Sequence, residues 1–178
     1  TGLVAGAGLV RFFQGSLSEA QQAQQVMRQT AAVIQSTGGV AGVTAGHLAD
    51  LSGQLSQVAA VDDEVIQQGG NLLLTFRNVR AEGGIFDDAL ASALDMSAAL
   101  GTELQPNIMA VGRALNDPAA GISRLTRMGV TFTEQQKAQI EAMAAFGDTA
   151  GAQRIILEEL ATEFGGAAEA NATASERM

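Results

Sequence analysis

His47 is the only histidine in the chain, and Asp50 follows it three residues later. On a helix that spacing puts both side chains on one face, where they could hold a divalent cation weakly. A structural metal site needs more ligands than two, and there is no cysteine to supply thiolates. A surface or capping histidine is therefore the simpler reading. The lack of cysteine also excludes a disulfide framework and a cysteine nucleophile.

Three carboxylate pairs have the residue types for acid–base work: Asp62/Asp63, Asp87/Asp88 and Glu158/Glu159. The first two are expected in first helical turns, where the helix dipole accounts for them, and the third on a solvent-facing arc. Glycoside hydrolysis would need two carboxylates facing each other across a groove. With no Trp and no Tyr, no aromatic cluster is at hand to grip a sugar. Gly6, Gly8 and Gly15 do not make a dinucleotide loop, because Arg11 stands where a third glycine would fall. No phosphate-binding P-loop motif occurs, and Gly121-Ile122-Ser123-Arg124-Leu125 lacks the second glycine of a nucleophile elbow. The expectation is thus no catalytic, cofactor-binding or metal-binding residue, no cofactor, and no enzyme.

Charge points the same way. Nineteen acidic against ten basic residues give a formal charge of −9, a surface that repels phosphate backbones. Arg77 with Arg80, and Arg124 with Arg127, are each expected on one helix face. Without interleaved aromatics they read as solvated faces, so no direct nucleic-acid binding is expected.

What remains is the set of elements that would have to position a site, and these are written clearly. Ser16–Glu19 has capping-box spacing and would open a helix carrying Ala20, Ala23, Met27, Thr30 and Ile34 on one face, stopped by Gly38-Gly39. Gly38–Gly46 looks like the most flexible connection. Thr44 can cap a second helix with Leu48, Leu51, Leu55 and Val58 at helical spacing. A third would run from Asp62 to Gly83, with Val65/Ile66, Gly69, Leu72/Leu73, Phe76 and Val79 inward. Gly69-Gly70 in its middle makes sense if another helix crosses there at short range. A fourth spans Phe86–Leu100, and Pro106 suits the first turn of a fifth carrying Ile108, Val111, Gly112 and Leu115.

The run ALNDPAAGISRLTRMGVTFTEQQ (Ala114–Gln136) is the most densely punctuated. Asp117-Pro118 starts a helix that Gly129 stops, Val130–Phe132 must be extended, and Thr133–Gln136 is a second capping box. Gly147 closes that helix, Asp148 caps the next, with Ile156, Leu160 and Phe164 on one side, and Gly165-Gly166 ends it. The expected fold is all-α: a compact domain of about eight short amphipathic helices with no sheet. Residues 1–15 are expected to be the end of a preceding helix or a linker, 16–166 the core domain, and 167–178 a frayed tail or a linker to a downstream segment. Each helix has one apolar face, so removing one, such as Thr133–Gly147, should leave a core too small to hold together.

Several stretches resemble the core region of tail tape measure proteins from long-tailed bacteriophages and prophages. They are LLLTFRNV (Leu72–Val79), FDDALASALDMSAALGTEL (Phe86–Leu104), VGRALNDPAAGISRLTRMGVTFTEQQKAQI (Val111–Ile140) and GDTAGAQRIILEELATEFGGAAEA (Gly147–Ala170), with STGGVAGVTAGHLADLSGQLSQVAAVDDEVIQQ (Ser36–Gln68) upstream. The resemblance covers residues 31–170. Its most specific part is Ala114–Gln136, where caps and apolar positions match in order. Gly69-Gly70 stands where such proteins more often carry alanines, which implies a looser third helix, and residues 1–15 have no family pattern.

The resemblance implies a virion structural protein, located in the tail and, during assembly, in the host cytoplasm. The full-length protein would thread the tail tube, help set tail length and leave ahead of the DNA during ejection. Implied partners are tail tube and tail-tip proteins, assembly chaperones and other copies of the full-length protein, with membrane contact at ejection. Peptidoglycan-cleaving domains carried by some members match nothing here. An alternative of a different class is a helical binding or membrane-active module that engages the host envelope during infection.

Overall fold

Glycines and short polar caps cut the chain into helices. The computed structural model describes residues 4–176, with side chains over residues 20–174. Among these residues there are nine α-helices, one 3-10 turn and no strand. The helices are α1 (Val4–Ser36), α2 (Ala45–Ala59), α3 (Asp63–Leu73), α4 (Ile85–Leu100) and α5 (Leu104–Asn116). They continue with α6 (Pro118–Arg127), α7 (Glu134–Ala145), α8 (Thr149–Phe164) and α9 (Ala167–Glu176), and the 3-10 turn is Glu82–Gly84. The fold is all-α, as the capped amphipathic segments require.

The caps operate as their spacing implies. Thr44 Oγ1 accepts the His47 amide at 3.1 Å and opens α2. Asp148 Oδ1 accepts the Gly151 amide at 2.9 Å and opens α8. Gly129, at φ 105°, reverses the chain after α6 so that the Val130 amide reaches back to the Leu125 carbonyl at 3.1 Å.

α4 is the centre of the domain. Ile85, Phe86, Ala89, Leu90, Ser92, Ala93, Leu94 and Met96 are all buried, and these positions run around most of its circumference. It is therefore an enclosed helix rather than the one-sided amphipathic element expected. α5, α8 and α9 pack along it, with α2 and α3 at further contacts. Phe86, Leu90, Ile108, Leu115, Ile156 and Leu160 are fully buried there, each contributing about 1.5–3 kcal/mol by leaving water.

Gly69 and Gly70 sit where helices cross, as their place on the buried stripe suggested. A Cβ on Gly69 would lie 3.4 Å from Ile108 and Leu104 of α5, and one on Gly70 would overlap Leu48 of α2. Both glycines are buried. The pair makes α3 tightly clamped between two neighbours, not looser.

The structure revises several boundaries. The backbone of α1 is continuous from Val4 to Ser36, so no helix starts at Ser16 and there is no break between residues 15 and 16. The Ser16 and Glu19 side chains lie outside those described. Among the described side chains of α1, Val26 and Thr30 are buried, while Met27 is exposed and Ala20 and Ala23 face solvent. Thr30 turns inward because the buried Gln67 amide donates to its Oγ1 at 3.0 Å, and Thr30 Oγ1 itself donates to Val26 C=O at 3.0 Å. On α2, Leu48, Ser52 and Ala59 are buried, and Val58 is exposed.

The connection at residues 38–46 is anchored rather than loose. Ala41 and Val43 are buried, and the Ala81 amide donates to Ala41 C=O at 2.8 Å. α3 stops at Leu73, ten residues before Gly83, so Arg77 and Arg80 share a turn and not a helix face. The early stop frees Asn78 to exchange two hydrogen bonds with Asn116 at the end of α5, at 3.2 and 2.7 Å. Phe76 meanwhile lays its ring against Gly112, and Val79 remains fully buried.

The expected frayed tail is a helix. α9 packs on α4 and α2 and buries Ala168. Its first amides are capped from another element: Asp95 of α4 accepts from Gly166 N at 3.2 Å and from Ala168 N at 3.0 Å. Asn171 Nδ2 adds a bond to Ala98 C=O at 2.9 Å. A cap of this kind satisfies the orphan donors of a helix start without any local signal.

Candidate functional site

The punctuated run builds a joint between α5, α6, α7 and α8. Asp117 closes α5 through its amide, which donates to Arg113 C=O at 3.2 Å. Its Oδ1 then accepts the Ala120 amide at 3.4 Å to open α6, and Pro118 fills the first helical position. Gly121 lets α6 cross α5 with almost no gap, since a Cβ there would overlap the Ala114 backbone. Val130 and Phe132 are buried and hold the extended link, and the Thr131 amide donates to Glu163 of α8 at 2.7 Å. The capping box is complete: Gln136 N donates to Thr133 Oγ1 at 3.1 Å, and Thr133 N to Gln136 Oε1 at 2.8 Å.

α8 supplies the polar ties. Gln153, 3% exposed, donates through Nε2 to Asn78 C=O at 2.7 Å and to Leu115 C=O at 2.8 Å. One amide group thus joins the α3–α4 connection, the end of α5 and α8. Glu159 accepts from Gln136 Nε2 and anchors the cap of α7, so it does not sit on the solvent-facing arc expected for it. Nothing in the sequence separates Gln153, Glu159 and Glu163 from other polar residues of an amphipathic helix. Their roles come from what faces them.

Beside the joint lies a cleft of about 500 Å³ at the start of α8, lined among others by Arg80, Glu82, Thr149, Gln153 and Arg154. Arg154 donates to Gly83 C=O and bridges α8 to the 3-10 turn.

The residues with candidate chemistry are placed apart. His47 pairs not with Asp50 but with Asp87 of α4, Nε2 lying 2.8 Å from Oδ1 and 3.1 Å from Oδ2. The contact ties the first turn of α2 to the first turn of α4, so Asp87 does more than complement a helix dipole. Asp62 precedes α3 without accepting a side-chain cap bond. Within its first turn, a side-chain hydrogen bond that the protonated Glu64 carboxyl makes to Asp63 raises Glu64 above its usual range. Ser123 is in the middle of α6, its hydroxyl donating to Ala120 C=O at 2.9 Å, a geometry unlike a nucleophile elbow. Gly6, Gly8 and Gly15 lie within the α1 backbone. Among the described residues no three His, Cys, Asp or Glu side chains are grouped to hold a metal ion, and no helix is long and apolar enough to cross a membrane.

Comparison of the chain with protein families, with curated proteins and with solved structures finds no match.

Proposed function

We propose that this chain is the folded core domain of a phage or prophage tail tape measure protein, acting by shape and not by catalysis. The observation that carries the reading is the ordered resemblance of Ala114–Gln136 to that family. It is supported by the use the fold makes of the same residues: Asp117, Gly121, Val130, Phe132, Thr133 and Gln136 are the ones that cap, cross and anchor the joint. The most specific run of the sequence is thus the one that sets the relative placement of four helices.

In this reading the domain folds as a unit within a longer protein, helps assemble the tail tube and set its length, and leaves the tail before the genome. Tube and tip proteins and assembly chaperones are its proposed partners. The test is to purify tails from particles produced by a strain carrying this sequence and to analyse them by mass spectrometry. Peptides of this chain should appear in intact tails and be lost after ejection. Tails without them refute the proposal.

A further inference from the structure

α1 is joined to the rest of the domain by a short and polar contact. Its 33 residues span about 50 Å, whereas α3, the helix it packs on most, has 11 and spans about 16 Å. Residues 20–25 are all exposed; after them only Val26 and Thr30 are buried, with Val33 and Ile34 half-buried. Val26 stands outside the continuous hydrophobic core that links α2 through α9. A cleft of about 520 Å³, lined by Val26, four glutamines of α1 and Gln68 of α3, also separates the two helices on one side.

The contact itself is weakly made. Gln67 Nε2 donates to Thr30 Oγ1 at 3.0 Å and to the Met27 thioether at 3.3 Å, and a thioether is a poor acceptor. Asn71 lies one turn after Gln67 on the same face of α3, and it is buried with its Oδ1 unpartnered. Docking α1 therefore dehydrates a carbonyl that no donor satisfies. A joint follows the helix directly. Gly38 and Gly39 have φ of 70° and 66°, with open space where a Cβ would stand. The chain is anchored again from Ala41, whose carbonyl accepts the Ala81 amide at 2.8 Å. Glycine passes between backbone wells at little cost.

We propose that α1 is a releasable arm: it leaves α3 as one unit, turning at Gly38-Gly39, while α2–α9 keep their fold. Release hydrates Gln67 and Asn71, uncovers that face of α3, and lets α1 change direction without disturbing the core. The inference stands apart from the tail reading and would survive its failure.

The test is native-state hydrogen exchange of the full chain, followed by NMR in low urea. The amides of Thr30, Ala31, Val33 and Ile34 should share one protection factor within about three-fold, at least about 100-fold below those of Leu90 and Leu94 in α4. Their exchange should depend little on urea, since release exposes little surface. The Ala81 amide should exchange with α4, which places the joint before Ala41. Ile156→Val in α8 should speed α4 exchange by about five-fold and leave α1 exchange unchanged, because it weakens the core equally whether α1 is docked or released. Protection in α1 equal to that in α4, or an equal response of both helices to Ile156→Val, overturns the proposal. A steady gradient of protection along α1, or an Ala81 amide that exchanges with α1, does so as well.

Discussion

Three glycines placed inside helices allow one substitution, Gly→Ala, to be read in three surroundings. In a helix the change gains about 1 kcal/mol from propensity alone. At Gly53 of α2 the added methyl meets nothing within 4 Å, so the full gain should remain. At Gly70 it overlaps Leu48 Cδ1, the far end of a flexible side chain, and repacking should cancel most of the gain. At Gly121 it would lie 2.7 Å from the Ala114 carbonyl oxygen and overlap the Ala114 Cα. Backbone cannot rotate away, and α6 is pinned at its start by Asp117 and Pro118. Overpacking of this kind costs about 1–3 kcal/mol, here at the upper end, so Gly121→Ala should lose about 1–2 kcal/mol net. For a chain of this size that lowers Tm by about 5 °C, while Gly53→Ala raises it by about 3 °C. Calorimetry or circular dichroism melts of the three variants supply the order. A Gly121→Ala protein as stable as the parent would show that the α5–α6 crossing is not the close contact described.

The two caps of the joint should differ. Thr133→Ala breaks a reciprocal pair and should cost about 1 kcal/mol in urea denaturation, whereas Asp117→Ala, with its single long bond, should cost about half of that; the reverse order would mean the α6 start is the stronger one. Asp95→Ala removes the acceptor at the start of α9 and should cost about 1 kcal/mol. Hydrogen exchange should then speed up at Gly166 and Ala168 and leave α5 unchanged, and protection that survives the change would show that α9 is held by packing alone.

Local signals carried the fold wherever the determinant was local. Thr44, Asp117, Thr133 and Asp148 each cap a helix within three residues of themselves, and glycine stops such as Gly129 act on the adjoining turn. The failures share a cause in long-range partners. The chain after α3 is tied to the end of α5 by Asn78 bonding Asn116, and the start of α9 is capped by Asp95 from more than seventy residues away. Periodicity placed Thr30 inward correctly but misplaced Met27 and Val58, which are exposed while Val26 and Ser52 are buried. Gln153 is the extreme case: nothing in its neighbourhood in sequence marks it as the donor shared by two distant carbonyls. α7 buries one side chain fully, Ile140, with Met143 half-buried against the core.

The central proposal is that the segment acts in the tail as a folded domain and not through its contour length. A single substitution in α4 separates these, because it leaves the residue count unchanged. Phe86 is fully buried at the centre, and Phe86→Asp exchanges a core aromatic for an unpaired buried charge, at a cost of several kcal/mol that exceeds what a domain of this size can absorb. The measurement is tail length in electron micrographs of particles carrying Phe86→Asp in the full-length protein, beside an exposed control, Glu141→Ala. The account predicts absent or irregular tails for Phe86→Asp and normal tails for the control. Tails of parental length from Phe86→Asp, with the isolated variant unfolded by circular dichroism, would contradict it.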